Sequence, residues 1–237
     1  MGRLNARQKR EFNEAIECSV DACPKMRNGL GLYCSKHHGL VTFNGSPLQH
    51  ALTSPDLDTY KRSLIRLIQH NRNHPALQGC LTLISKWLED FSQRAAARGD
   101  APPTKWQHEL DKEVWRLKQQ NTSPWLIFVE VAAVHFFSMD NPDRLAPVTR
   151  QYKYALGRAM LLAKGHRARY GCLGARIRGK VVCNMGEACS TAFRRVFEAM
   201  AEPFKAYHAN TSSRSEPLRP SDIERAISKP IRRTSKE

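Results

Sequence analysis

A chain of 237 residues, 41% of them hydrophobic and 25% charged, has enough apolar content to bury a full core, which excludes wholesale disorder and a peptide-sized scaffold. Lys and Arg number 38 against 22 Asp and Glu, for a formal net charge of +16; on charge, polyanions such as DNA or RNA are favoured as partners over neutral or cationic ones. No apolar leader opens the chain and no run reaches the roughly 18 uncharged apolar residues of a membrane span, so the expectation is a cytoplasmic protein with no membrane partner.

Residues 3–17 place Leu4, Phe12, Ala15 and Ile16 among charges, which predicts a short amphipathic helix. The next stretch, CSVDACPKMRNGLGLYCSKHH, holds three of the seven cysteines and two of the nine histidines. An odd cysteine count without a secretory signal points to metal ligands or buried thiols rather than disulfides. Cys18-x4-Cys23-x10-Cys34-x2-His37 supplies three thiolates and one imidazole, the donor set of a closed tetrahedral Zn2+ site. Four protein ligands leave no position for water, so one structural ion is expected rather than a hydrolytic one. Pro24, Gly29 and Gly31 provide bends, and Val20, Leu30 and Leu32 are expected to form a small apolar cover. His38 is a rival to His37, because both spacings are feasible.

The run CSVDACPKMRNGLGLYCSKHHGLVTFNGSP resembles the small zinc modules of bacteriophage and mobile-element proteins, including some homing-type HNH endonucleases. These read roughly C-x4-C…G-L-C-x2-H-Y-x-R-W-x-x-x-G-D-P. Cys18, Cys23, Leu32, Cys34, His37, Gly45 and Pro47 fall on the pattern in register, over about thirty residues of the chain. The resemblance implies a DNA-associated setting. Leu40-Val41 stand where the family often has Arg-Trp, so it implies the metal site more than a direct DNA contact by this module.

Beyond the module, Ser54-Pro55 reads as a helix start with Ser54 as cap, and Leu57, Tyr60, Leu64, Leu67 and Ile68 carry the helix to HNRNHP. Leu77, Leu81, Ile84, Leu88 and Phe91 continue the period from Pro75 to about Ala97, where RGDAPP breaks it. Residues 104–119 predict a helix with Trp106, Leu110, Val114 and Leu117 on one face. Ser123-Pro124 opens WLIFVEVAAVHFF, apolar nearly all round and therefore the expected central helix. Helices over 147–163 and 187–208 follow. Between them KGHRARYGCLGARIRGKVVCNMG carries five glycines and a candidate strand or hairpin at ARIRGKVVC. The tail from Thr211 reads as mobile, with one small helix opened at Ser221–Glu224.

The fold expected is mostly α: an N-terminal zinc module with its leading helix at 1–50, an all-α domain with a basic, Gly-rich connection at 51–209, and a mobile basic tail at 210–237. Catalytic signatures are missing. HNRNH (70–74) has no accompanying carboxylate and reads as a polar helix end, Glu130 and His135 fall on different faces of one helix, and no P-loop, G-x-S-x-G or paired carboxylate occurs. Cys172, Cys183 and Cys189, with His166, form a weaker candidate for a second metal site, since no short Cys pair is among them.

Charge is concentrated. Between Arg144 and Ala199 stand twelve Lys or Arg against two Glu. Arg150, Lys153 and Arg158 are placed on one side of a helix, and Lys164, Arg167, Arg169, Arg176, Arg178 and Lys180 crowd the glycine-rich connection with His166. Guanidinium forks and backbone N–H groups there suit phosphates, while Tyr152, Tyr154 and Tyr170 are candidates to stack on bases. The reading is a non-enzymatic nucleic-acid-binding protein of a phage, mobile element or defence nucleoprotein complex, with other protein subunits as further partners. A metal-dependent nuclease or its remnant, and a protein-binding adaptor or inhibitor, are the alternatives.

Overall fold

A computed structural model describes residues 5–44, 46–48, 52–97, 105–119, 121–147, 149–163, 179–209 and 220–228. Among these the chain is mostly α, with no strand beyond one isolated antiparallel bridge between Glu17 and Met26. Two compact units form, Met1–Ala51 and Leu52–Glu237. The first contains α1 (Ala6–Glu14) and α2 (Ser35–Asn44). The second contains α3 (Ser54–Asn71), α4 (Pro75–Ala97), α5 (Lys105–Gln119), α6 (Pro124–Asp140), α7 (Arg150–Leu162), α8 (Gly179–His208) and α9 (Pro220–Ser228).

In the second unit α6 is the axis. Twelve of its residues are buried, from Leu126 to Ser138, because a helix apolar on every side must be enclosed on every side. α3, α4, α7, α8 and α9 surround it, each offering one apolar stripe: Leu57, Leu64 and Ile68 from α3, Leu77 and Ile84 from α4, Leu156 and Met160 from α7. Enclosure brings one charged side chain of α6, Glu130, inside. The Glu130 carboxylate is paired at 2.8 Å with Lys61 Nζ, both side chains being almost fully buried; in a low-dielectric interior such a carboxylate is tolerable only with a close, well-aligned partner.

The start of α3 differs from expectation by one residue. Thr53, not Ser54, is the cap, because the Asp56 carboxylate reaches back and accepts from both the Thr53 N–H and its hydroxyl at 2.7 Å. Likewise α7 begins at Arg150 rather than 147, fixed by Thr149, whose side chain accepts from the Tyr152 N–H.

The larger correction concerns α8. The hairpin expected at 175–183 is absent from its described part, since Gly179–Cys183 is already helix and α8 begins eight residues before the expected 187. Val181, Val182, Met185, Cys189, Phe193, Val196, Phe197, Met200 and Phe204 are all buried, at steps of one, three and four residues that define a single helical stripe. Gly186 reads as punctuation but serves as a contact. A Cβ on Gly186 would collide with the Lys153 carbonyl, and one on Gly157 with the Val182 carbonyl. The two backbones therefore touch where α7 crosses α8, the most extensive helix pair of the unit.

The tail is also partly ordered. α9 buries Ile223 and Ile227 in the common core, and Ala226 O accepts from Gln69 Nε2 of α3 at 2.7 Å; the rest of 210–237 lies outside the described residues.

His135 sits on the α8-facing side of α6. Its ring stacks on Phe197 at 4.3 Å, and its Nδ1 shares a 2.8 Å hydrogen bond with the Tyr152 hydroxyl. It is a satisfied core histidine, and burial pushes its pKa down to about 4.

Two outcomes follow from this packing. Gly186→Ala should destabilise the second unit by at least about 2 kcal/mol through overpacking, read as a lower midpoint of thermal unfolding by circular dichroism; an unchanged midpoint would show that the helices can separate at no cost. His135 is neutral in the folded state and protonates near pH 6.5 when unfolded, so its contribution to stability is complete above that pH and declines as pH falls towards 4. His135→Gln should flatten that decline, a difference on the order of 1–3 kcal/mol in denaturant titrations at the two pH values.

Candidate metal centre and basic face

The first unit is too small for a core, and its order comes from hydrogen bonds that converge on four side chains. Asn5 caps α1 in a capping box with Gln8. At the other end of α1, Asn13 Nδ2 donates to the carbonyls of Gly29 and Gly31, both at 2.8 Å, and the Glu14 carboxylate accepts from the Gly29 N–H at 3.0 Å. Gly29 needs its lack of a Cβ here, with φ +61°. Arg27 ties the same loop to Asn13, to the Glu17 carbonyl and to Ser19.

The Glu17–Met26 bridge and the Cys18 N–H to Lys25 carbonyl bond at 2.8 Å close a knuckle that carries Cys18 and Cys23. Ser19 N–H donates to the Leu32 carbonyl at 2.9 Å, which brings Cys34 alongside. α2 then starts, and its first turn carries His37. The apolar period predicts no helix over Ser35–Asn44, because Gly39, Val41 and Thr42 mask it.

The ligand atoms of Cys18, Cys23, Cys34 and His37 all lie within 4.8 Å of one another. Cys18 Sγ is 3.3 Å and Cys34 Sγ 3.6 Å from His37 Nδ1, and Cys23 Sγ is 3.9 Å from Cys34 Sγ. These four residues could hold one metal ion. His38 stands apart from the cluster: its side chain is exposed and lies beside Gly31.

The polar surroundings favour negative charge unevenly. Burial alone would raise the Cys18 thiol, but the Cys34 N–H, the His37 ring and the Val20 N–H outweigh it and hold it below its ordinary range. The His37 N–H, with the Lys36 N–H, lowers Cys34 in spite of burial. At Cys23 the Lys25 N–H favours the thiolate, yet burial and the crowding of Cys34 and Cys18 prevail and raise it. All three could be thiolates together only with a cation among them.

The expected apolar cover does not form. Leu30 and Leu32 are 66% and 56% exposed, since each flanks a carbonyl or amide committed to the loop bonds above.

The basic residues separate into three groups. Arg150 is exposed, with its guanidinium over the Tyr154 ring at 5.7 Å, and Lys180 is exposed at the start of α8. Lys153 is half-buried and paired with Glu187 at 2.8 Å, and Arg158 is buried rather than on a solvated face. Lys164, Arg167, Arg169, Arg176 and Arg178, with His166, Tyr170 and Cys172, lie outside the described residues. Arg194 and Arg195, which the sequence reading did not single out, are exposed on α8.

Tyr152 and Tyr154 cannot stack on bases. Each is 3% exposed and belongs to the core, because α7 turns that face towards α6 and α8. Of the second cysteine candidate, Cys183 and Cys189 stand six positions apart on α8, facing different ways, and burial raises both thiols, Cys189 to about 12; Cys172 and His166 lie outside the described residues. Among the described residues the only metal-capable group is the N-terminal one. His70 and His74 are exposed and turned to helix ends, with His70 Nδ1 2.8 Å from the Arg66 carbonyl and His74 Nδ1 accepting from the Ala76 N–H. No helix among the described residues is long and apolar enough to cross a membrane.

No family model, curated protein or solved structure matches the chain.

Cys34→Ser should abolish stoichiometric binding of a divalent ion, measured by native mass spectrometry, whereas His38→Ala should leave it intact; full metal in Cys34→Ser, or its loss in His38→Ala, contradicts the assignment of the four ligands.

Proposed function

We propose that the ion is a structural Zn2+ and that the protein binds nucleic acid without acting on it. For zinc, the donor chemistry is the support. Three thiolates and an imidazole are soft and borderline ligands, unsuited to Mg2+ or Ca2+. Bond lengths of roughly 2.3 Å to sulfur and 2.0–2.1 Å to nitrogen in a tetrahedron give edges of about 3.8 Å between sulfurs and about 3.6 Å between sulfur and nitrogen; the corresponding separations of 3.9, 3.3 and 3.6 Å fit that shape. Zn2+ there would cross-link the knuckle to the first turn of α2 and contribute to folding directly. With all four positions taken by protein, it offers no site for a water or a substrate.

One observation carries the nucleic-acid reading: twelve Lys or Arg against two Glu between Arg144 and Ala199. Part of this charge is internal, in Arg158 and in the Lys153–Glu187 pair, but Arg150, Lys180, Arg194 and Arg195 present it to solvent. The Lys153–Glu187 pair is exposed enough to be worth only about 0–1 kcal/mol, so a phosphate can displace Glu187 at little cost. Guanidinium and ammonium groups of this kind contact phosphates and position a strand without reading its sequence. The resemblance of residues 18–47 to phage and mobile-element modules favours such a complex as the setting, with the zinc module facing a protein subunit and the basic half facing DNA or RNA.

Fluorescence anisotropy with labelled single- and double-stranded DNA and RNA over a salt series tests this. The association constant should fall linearly with salt on logarithmic axes, and Arg150→Ala and Lys180→Ala should each reduce the slope by about 1. No binding at low salt would leave the adaptor reading in its place. Cleavage in Mg2+ or Mn2+ that is lost in His70→Ala or His74→Ala would replace it with the nuclease reading.

A further inference from the structure

The second unit carries a cleft that neither the metal site nor the α7–α8 basic face uses. It opens beside the C-terminal parts of α3 and α8, has a volume of about 620 Å3, and is lined by Arg66, Gln69, His70, Ala206 and Tyr207. We infer that this cleft seats one unstacked nucleotide of a single-stranded nucleic acid, the base against the rings of Tyr207 and His70 and a phosphate beside Arg66; the inference rests on the nucleic-acid reading above and assigns it a strand state and a second point of contact.

The walls are held in place before any ligand arrives. The His70 and Tyr207 rings lie 5.6 Å apart, tilted at 45°, as two panels of an open corner. His70 is oriented by its Nδ1 contact with the Arg66 carbonyl at 2.8 Å, which leaves Nε2 as the polar atom of the ring edge available to a ligand. Tyr207 is fixed through its hydroxyl, which accepts from Asn71 Nδ2 at 3.0 Å. Gln69 is fixed by its bond to the Ala226 carbonyl, so α9 braces the cleft floor. A pre-set aromatic surface loses little conformational entropy when a base stacks on it.

Charge selects the ligand. Between Asp58 and Glu89 the chain has no acidic residue, while Lys61, Arg62, Arg66, Arg72 and Lys86 fall in that interval. Lys61 is consumed by Glu130. On the α8 side, Glu202 is paired with Lys205 at 2.7 Å. A cleft with a cation, two aromatic faces, an amide and no carboxylate among its described lining residues suits a planar ring joined to a phosphate. An acidic peptide would match the charge of Arg66 but leave the aromatic corner uncovered. A duplex keeps its bases stacked inward and cannot place one there, whereas an unpaired strand can.

The test compares short oligo(dT) and oligo(U) with a blunt DNA duplex, by anisotropy at one fixed low salt. His70→Ala, Arg66→Gln and Tyr207→Ala should each weaken single-strand binding by about tenfold and leave duplex binding little changed, and Tyr207→Phe, which keeps the ring and loses only its tether to Asn71, should weaken it less than Tyr207→Ala. An oligonucleotide bearing 5-bromouracil should photo-crosslink to the peptide containing Tyr207. Thermal melts establish that each variant is folded; should Tyr207→Ala not be, His70→Ala and Arg66→Gln at the solvent-facing wall, together with the crosslink, decide the matter. Unchanged single-strand affinity in these variants, an equal loss for duplex, equal displacement of the oligonucleotide by poly-glutamate and by nucleic acid, or binding of duplex alone overturns the cleft while leaving the broader reading standing. If the unaltered protein binds no strand of any kind, both fall together.

Discussion

Everything in the larger unit is arranged around the need to enclose α6. A helix with Leu126, Ile127, Phe128, Val129, Val131, Ala132, Ala133 and Val134 in sequence has no face that tolerates water, so no single neighbour can shelter it. Five other helices do, and their order is a consequence. α7 and α8 can both reach it only by approaching each other closely, which requires glycine at 157 and 186. The polar groups that α6 brings inside are matched individually, Glu130 by Lys61 and His135 by Tyr152. Each match draws on a side chain that the composition alone would have assigned to the surface.

The N-terminal unit solves the opposite problem. Its 51 residues have few apolar side chains to bury, and five of the large ones, Phe12, Met26, Leu30, Leu32 and Leu48, are exposed. Below some tens of residues a hydrophobic core rarely suffices and a metal or disulfide must supply the difference. Here the backbone bonds of Asn13, Glu14 and Arg27 shape the loop, and a cation among three thiols is what would lock it. The two units therefore differ in what can stabilise them, area removed from water in one and, where a cation is bound, ligand bonds in the other. A chelator should act on one and a core substitution on the other.

Legibility in the sequence followed the range of the forces involved. The ligand set was legible because four ligands at fixed spacing around short turns is a local property, and Cys18, Cys23, Cys34 and His37 indeed converge. The helical stripes were legible because periodicity is local too. What escaped was every choice that depends on a distant partner. Arg158, Tyr152 and Tyr154 look like surface residues on a basic helix until α6 and α8 cover them. Gly186 looks like a break until Lys153 is placed against it. Ile223 and Ile227 look like part of a mobile tail until α3 and α6 offer them a groove. The cleft was invisible for the same reason, since Arg66 and Tyr207 meet only in the fold.

This redistribution changes what the net charge means. Lys61 and Arg158 are internal, Lys153 and Arg144 are paired with Glu187 and Asp56, and Arg150 rests on Tyr154. A formal charge of +16 is thus an overestimate of the field that a polyanion meets at α7, and the contribution of that helix to binding is narrower than its composition implies. α3 behaves in the reverse way. Its second half has neither a carboxylate nor an unusual density of cations, yet the fold sets Arg66 beside two aromatic rings. A strand bound as proposed, by phosphate contacts at one place and by base stacking at another, would be held by two forces with different salt dependence. Salt therefore separates them: high ionic strength strips away the phosphate contacts first, and the binding that survives it should depend on the aromatic corner rather than on the basic helices.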